Sequence, residues 1–550
     1  MRFLSKIRER QFAKKWGGTY NLSRAVLAGV LAAGCLMPEF AEAAKLYDSS
    51  GVNWPTDGTT ATITGDIIGT GTRHIYWQPS YEDGEDSVVG YTINVDPGTI
   101  EPEIHISGGK GLNAANGNSV KISGGTFNSL ICGGDGYTAA EGNIVEIRGG
   151  TINADVSGGL SDYGTANGNI VSISGGIFNG NLDVWGGCSA SGEATNNKVI
   201  ISGGTFGGTV ESNVYGGWGA TAAEGNSVSI SRGTINGVVS GGYVKYDFDT
   251  ADKTANGNQV IISGGEFIGS RVVGGYVEFD DSNTNNNTAN TTANGNQVII
   301  SGGSFIDSHV AGGVAESGSD TANNNKVILV GNHAIYKFTD TQGAEHTLTG
   351  GNIEITGTVY GGWTNSDSGD TSGNKIHVYG SNTKVGNIDG FDELHFFIDD
   401  RINFGETMLT ITGMSDLVAI QTNDSDTDYP IVSIPNGKLA VTVSGKPNPS
   451  VDNNTDNTIT LVDCPNGTID GFVNGEHVDV DIEKGATLSG NGTVALEDNK
   501  KLVLTLNVEK TTVNENGKSL VETRAAAAFV VNNMSDFMLG TGMELSLIHI

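Results

Sequence analysis

Asn118-Ser119-Val120-Lys121-Ile122-Ser123-Gly124-Gly125-Thr126-Phe127 returns 25 residues later as Asn143-Ile144-Val145-Glu146-Ile147-Arg148-Gly149-Gly150-Thr151-Ile152. It returns after another 26 residues as Asn169-Ile170-Val171-Ser172-Ile173-Ser174-Gly175-Gly176-Ile177-Phe178. The frame recurs with departures from Asn197, Asn226, Asn258, Asn296, Asn325 and Asn374. A second Gly-Gly follows the anchor by 15 residues at Gly133, Gly158 and Gly241, by 16 at Gly274 and Gly312, by 17 at Gly186 and by 19 at Gly216. A unit this short cannot bury its own apolar face, so successive units must stack. The anchor-to-anchor spacing varies more than the interior of the unit, which puts the variation in one closing loop of each coil.

Within each unit the apolar residues alternate, as in Val120/Ile122, Val145/Ile147, Val171/Ile173, Val199/Ile201, Val228/Ile230, Val260/Ile262 and Val298/Ile300, which reads as a strand with one buried face. Further inward columns are Phe127, Ile152, Phe178, Phe206, Ile235, Phe267 and Phe305, then Ile131, Val156, Val184, Val214, Val239, Val272, Val310 and Val359. Gly-Gly after each short strand supplies backbone angles that a Cβ would forbid. The asparagine at one corner of every coil is placed to form an amide ladder at the inter-strand spacing of roughly 4.8 Å. These Gly and Asn residues read as scaffold. The fold class is therefore all-β, a right-handed parallel β-helix or β-solenoid.

The chain has 550 residues with 83 Gly, 10 Pro and only 17% charged residues, which fits neither an ordinary enzyme core nor a disordered polyelectrolyte nor a coiled coil. Residues 1–43 carry Arg2, Lys6, Arg8, Arg10, Lys14, Lys15 and Arg24, an apolar stretch over 25–33, and Ala41-Glu42-Ala43 before the expected mature start at Ala44. This pattern is that of a secretory signal peptide. A rival site, Leu31-Ala32-Ala33-Gly34-Cys35, has the form of a lipoprotein signal. The net charge is −32, and without 1–43 it becomes −36, from 23 Lys+Arg against 59 Asp+Glu, which argues against nucleic acid as a partner. Cys132, Cys188 and Cys464 form no disulfide framework, and Cys132 and Cys188 sit two coils apart, roughly 10 Å along the stack and beyond bridging distance.

Along the chain, 44–110 reads as an N-terminal cap and first irregular coils, 111–390 as regular repeats, and 391–518 as a further β section. At 519–544 the pattern changes: Ser519-Leu520-Val521-Glu522 is a capping box, and Ala526, Val530, Met534 and Phe537 follow at helical spacing. The expected helix is about 20 residues and roughly 30 Å long, too polar at Arg524, Asn532, Asn533 and Asp536 to face lipid, and suited to a water-lined pore. This order of parts, with Glu522-Thr523-Arg524-Ala525-Ala526 opening the helix, resembles a type V autotransporter passenger ending in the linker helix of its translocator. The resemblance implies export through an outer-membrane β-barrel of a Gram-negative cell, with outer-membrane assembly machinery as a partner, and the chain departs from it in carrying no barrel after residue 544. Leu545-Ser546-Leu547-Ile548-His549-Ile550 resembles a translated sequencing adapter and is left out of the functional reading.

Passengers of that family include proteases and esterases, yet neither Gly-x-Ser-x-Gly nor Gly-Asp-Ser-Gly occurs, and Ser366-Asp367-Ser368-Gly369-Asp370 reads as a polar turn. The histidines, among them His74, His105, His309, His333, His346, His377, His395 and His477, show no metal-ligand spacing. Asp424-x-Asp426-x-Asp428 resembles a calcium loop but has Tyr429 in place of the glycine and Pro435 in place of the glutamate. Loop acids Asp247, Asp249, Asp280 and Asp281, with Lys245, are what a glycan-processing β-helix would use. No catalytic residue, metal ligand or cofactor is expected.

Two outward features suit recognition. Aromatics flank the second Gly-Gly at Trp185, Tyr215, Trp218, Tyr243, Tyr276, Tyr360 and Trp363, as a binding strip or as a seal over one corner. The residue between the inward Val and Ile becomes apolar at Ile261, Ile299 and Ile328, a strip to be covered by a long corner insertion (243–255 or 276–293) or used by a partner. The expected function is non-enzymatic: a cell-surface or secreted stalk for adhesion or self-association, its partner a host or neighbouring-cell surface protein or glycan, or another copy of itself. The alternatives are a glycan-processing enzyme and an exported lipoprotein.

Overall fold

The structure, a computed structural model, describes residues 45–48, 56–57, 59–63, 73–78, 87–95, 104–207, 210–245, 251–278, 290–316, 319–365, 369–413, 431–449, 457–482 and 488–510. Outside these lie the signal segment 1–43 with Cys35, the helix expected over 519–544, the tail 545–550, Ser366 to Ser368, Asp424 to Asp428, and the loop acids Asp247, Asp249, Asp280 and Asp281. The described residues contain no α-helix, only a 3₁₀ turn at Asn436–Lys438.

Each coil runs through three walls. The short wall contributes strands such as Ala139–Glu141, Thr165–Asn167, Glu193–Thr195 and Ala222–Glu224 to a nine-stranded sheet. After the anchor asparagine the middle wall follows, with Ser119–Ile122, Ile144–Ile147, Ile170–Ile173 and Lys198–Ile201 in a 15-stranded sheet. The long wall takes both the two-residue strand at each phenylalanine, as Thr205–Phe206, and the strand through the second Gly-Gly, as Asn213–Gly219, into a 24-stranded sheet. Corresponding strands pair parallel from coil to coil, so this is a parallel β-solenoid.

Like stacks on like. Val120 pairs with Val145, then Val171, Val199 and Val228, and Phe178 with Phe206, all at most 1% exposed. The rings of Phe178 and Phe206 stack at 4.3 Å, and those of Phe267 and Phe305 at 4.6 Å. The column runs on through Phe305, Ile355 and Val385 to Ile411, past the regular repeats. Parallel stacking thus outlasts the sequence repeat, because it needs only an apolar residue at each inward position.

The amide ladder forms inside the stack, where its asparagines are at most 1% exposed. Asn197 Oδ1 accepts from the backbone N–H of Asn169 at 2.9 Å and from its Nδ2 at 3.0 Å, while Asn197 Nδ2 donates to Asn226 Oδ1 at 3.0 Å and to the Ala166 carbonyl at 2.8 Å. A buried amide with both groups engaged has the cost of leaving water offset by its hydrogen bonds. The two Gly-Gly pairs meet different needs. In the first, Gly176 has φ +112° and Gly204 +108°, angles closed to other residues. In the second the need is room: a Cβ on Gly187 would overlap the Asn197 side chain, and one on Gly186 would overlap the Gly216 carbonyl.

Antiparallel pairs flank the parallel run. Lys45–Asp48 pairs with Arg73–Gln78, and the hairpin Leu488–Glu497/Lys501–Lys510 adds antiparallel to Thr458–Asp463. Such pairing occupies backbone groups that a bare parallel edge would present for aggregation.

Candidate functional site

The predicted aromatics come together in register on the outer face of the long wall. Trp185 pairs with Tyr215 just before the second Gly-Gly, and just after it Trp218 pairs with Tyr243 and Tyr243 with Tyr276. Tyr360 and Trp363 extend the two files beside Ala311 and Val314. The rings of Tyr215 and Tyr243 stack at 4.4 Å, and Tyr243 meets Tyr276 edge-on at 5.5 Å. Trp185, Tyr215, Tyr243, Tyr276 and Tyr360 are all 7% exposed or less, so their faces engage each other and neighbouring Val273, Ala311 and Val314. Trp218 and Trp363 are half-buried and carry the strip's remaining surface.

Burial decides the strip's chemistry. It pushes the Tyr215 phenol well above its usual value and that of Tyr276 upward as well, the latter helped by Glu316. Tyr276 therefore stays a donor, to Glu316 Oε1 at 2.9 Å, and Tyr243 donates likewise to Glu278. The cavity bounded by Arg271, Tyr276, His309, Tyr360 and Trp363 is about 20 Å³, room for a water and not for a sugar ring.

The outer face of the middle wall is built differently. Ile261, Ile299 and Ile328 do form one outward strip, separate from the core, and it is covered. Tyr336, Phe338 and Leu348, from the antiparallel hairpin Ile335–Thr339/Glu345–Thr349, lie on it together with Tyr379. Among the described residues the cover is the insertion between Lys326–Val330 and Ile353–Thr364, while 246–250 and 279–289, from the long corner insertions that length had singled out, lie outside them. An alternating strand in that stretch, with Tyr336 and Phe338 on one face and Ile335, Lys337 and Thr339 on the other, was the available signal.

The hairpin tip is tied down coils away. Asp340, its side chain buried, takes Lys198 Nζ at 2.9 Å, His346 Nε2 at 2.8 Å and the Ala344 N–H at 2.8 Å. Burial alone would raise its pKa, but these partners outweigh it and hold the carboxyl down at about 2. Gln342 accepts from Ser227 Oγ at 3.1 Å and donates to the Gly225 carbonyl at 3.3 Å. Between the tip and the asparagine corner lies a polar groove of about 330 Å³, bounded by Gln259, Gln297, Asn324, Lys326, Thr339 and Thr341. Its size is that of a small-ligand site, and its lining of amides, hydroxyls, one amine and the Asp340 carboxylate can hydrogen-bond hydroxylated or amide-bearing groups.

Beyond the hairpin the same face carries histidines. His377 on Lys375–Tyr379 pairs in register with His395 on Glu393–Ile398, their rings 5.3 Å apart. Glu393 Oε1 lies 3.1 Å from His395 Nδ1, its Oε2 lies 2.6 Å from Lys375 Nζ, and His395 Nε2 is 2.8 Å from Thr442 Oγ1. Burial, with Lys326 and His395 nearby, pushes the His377 imidazole down to about 4, and burial lowers that of His395, so both rings are neutral at pH 7. Spacing along the chain hides this pair because a whole coil separates the two residues. Aligning Lys375-Ile376-His377-Val378-Tyr379 under Glu393-Leu394-His395-Phe396-Phe397 as two rungs would have exposed it.

Cys132, Cys188 and Cys464 form no disulfide among the described residues and are buried, and burial pushes the thiols of Cys132 and Cys464 upward, away from the reactive thiolate. No known protein-family model matches the chain, and no curated protein matches it.

Proposed function

We propose that this chain is the exported passenger of an autotransporter-like surface protein, a non-enzymatic solenoid stalk that acts in adhesion or self-association at a Gram-negative cell surface. The reading rests on the organisation of the middle wall. Its inner face repeats the same apolar residues through the stack, while its outer face changes from rung to rung and holds the polar groove beside the hairpin. A rigid stack with a variable exterior is how repeat proteins present a binding surface. The 15 strands of this wall, at about 4.8 Å each, give a rod of roughly 65 Å or more.

The partner is a glycan or surface protein, or a second copy of the chain, held in the groove by Gln259, Gln297 and Lys326 and on the long wall by the rims of Trp218 and Trp363. The test is attachment of beads coated with the purified full chain to cells and to a glycan array. Gln297→Ala with Lys326→Ala, or Trp218→Ala with Trp363→Ala, should reduce attachment at least tenfold with the β-type circular dichroism retained. Attachment unchanged in both double variants, or turnover of a polysaccharide by the chain, would reject the reading.

A further inference from the structure

We propose that His377, Glu393 and His395 form a binding site for a first-row transition ion, Zn²⁺ foremost, on the outer face of the middle wall. One ligand atom from each lies within 4.8 Å of the others, and all three residues are half-buried, so the set is both convergent and reachable. Two imidazoles and a carboxylate are a familiar zinc donor set, with a fourth position left for water or for an acceptor on a partner.

The geometry is close to what such an ion requires. With bonds of roughly 2.0–2.1 Å, neighbouring ligand atoms of a tetrahedral ion stand about 3.3 Å apart. His395 Nδ1 and Glu393 Oε1 are already 3.1 Å apart. His377 makes no hydrogen bond among the described residues and sits one rung away, so rotations moving its ring by up to about 1.5 Å bring its lone pair into the set.

The supporting contacts accommodate both states. Without metal, His395 carries its proton on Nδ1, donates to Glu393 and accepts from the Thr442 hydroxyl. With metal, Nδ1 gives up that proton to solvent and binds the ion, and Nε2–H donates to the same hydroxyl, which can act either way. A threonine holding the far nitrogen fixes ring and tautomer as outer partners do in zinc sites. Lys375 holds Oε2 and leaves Oε1 toward the histidines. The two lysines, Lys326 and Lys375, and the single carboxylate disfavour Ca²⁺ and Mg²⁺, which need six or more oxygens, whereas imidazole suits zinc, copper and nickel.

The acidic surface would bind cations loosely anywhere, so the test must separate a built site from that background. The full chain, without a histidine tag and stripped with chelator, is titrated with ZnSO₄ by calorimetry in excess Mg²⁺, and with Co²⁺ by visible absorption. The expected result is one Zn²⁺ per chain that Mg²⁺ does not displace, and Co²⁺ bands of a low-symmetry nitrogen–oxygen site. His377→Ala and His395→Gln should each weaken Zn²⁺ at least tenfold, and His477→Ala, on an exposed ring outside the set, should change nothing. Zn²⁺ displaced by Mg²⁺, no Co²⁺ bands in the unaltered chain, or undiminished binding in both histidine variants overturns the proposal. If His377→Ala alters the circular dichroism, His377→Gln replaces it, and the Co²⁺ spectrum of the unaltered chain decides independently.

Discussion

The two faces of the middle wall are made by the same strands and obey different rules. Inward, Val120, Val145, Val171, Val199 and Val228 are one column repeated, each without measurable exposure. Outward, the residue next to each reads Lys121, Glu146, Ser172, Ile200 and Ser229, then Ile261, Ile299 and Ile328, then His377 and His395. The inner face is held constant because each side chain packs on its own counterpart one rung away, so a change of volume is felt by two neighbours at once. The outer face, among the described residues, has no layer packed across it except where the hairpin lies, and it can change without loss of the stack. Constancy within and variation without mark off the part of the chain that holds it together from the part that distinguishes it.

Breaking the inner face should have the largest effect. Phe206→Ala removes a ring stacked between coils and should cost roughly 3–5 kcal/mol, with the loss concentrated in the adjoining coils. Hydrogen exchange by mass spectrometry would show it as lost protection around 178–235, and protection unchanged there would contradict the column. Next comes the ladder. Asn197→Ala leaves the buried N–H of Asn169 without its acceptor and removes three further bonds, for a cost of about 3 kcal/mol in a urea titration.

On the outer face the covered strip should behave as a small core. Ile299→Ala, beneath the hairpin, should cost about 2 kcal/mol and loosen 335–349 before anything else, read as faster amide exchange in that segment alone. The hairpin should also be sensitive to acid. Asp340 is held at about 2 when folded, below its ordinary 3.8, so its contribution is complete above pH 3.8 and is lost as pH falls toward about 2. Exchange of the hairpin amides should accelerate across that window, and Lys198→Met should move its onset to higher pH. The smallest effect belongs to an uncovered outward position: Ile177→Thr, at a site 50% exposed, should change stability by no more than about 0.5 kcal/mol. A larger loss there would mean that the outer face of the stack is not free to vary.

How much was legible in the residues differs in the same way between the faces. The inward columns, the amide ladder and the outward isoleucines could be read because each is periodic, and the solenoid pairs the very residues that a column alignment pairs. The second Gly-Gly was legible as a marker but not in its cause, since only the stack shows that a Cβ at Gly187 would meet Asn197, the anchor asparagine that follows it. The aromatic files were found, with a seal over one corner as one of their two readings, but the choice between strip and seal was not legible for Trp185, Tyr215, Tyr243, Tyr276 and Tyr360, because burial of an outward residue depends on its neighbours in other coils. The hairpin escaped notice because insertion length, used to find the cover, says nothing about where an insertion folds.

From its sequence alone this protein's architecture follows: a parallel stack of coils with alternating strands, glycine corners and an internal asparagine ladder, since a 25-residue unit with one apolar face has no other way to bury it. Tertiary structure alone decided what lies on the outside. It set the hairpin across Ile261, Ile299 and Ile328 and tied Asp340 to Lys198. The physical reason is the closing loop of each coil. Contacts between rungs are fixed by register and need no knowledge of loop length, whereas contacts across the exterior depend on how far and in which direction each irregular loop returns, and no period in the sequence records that.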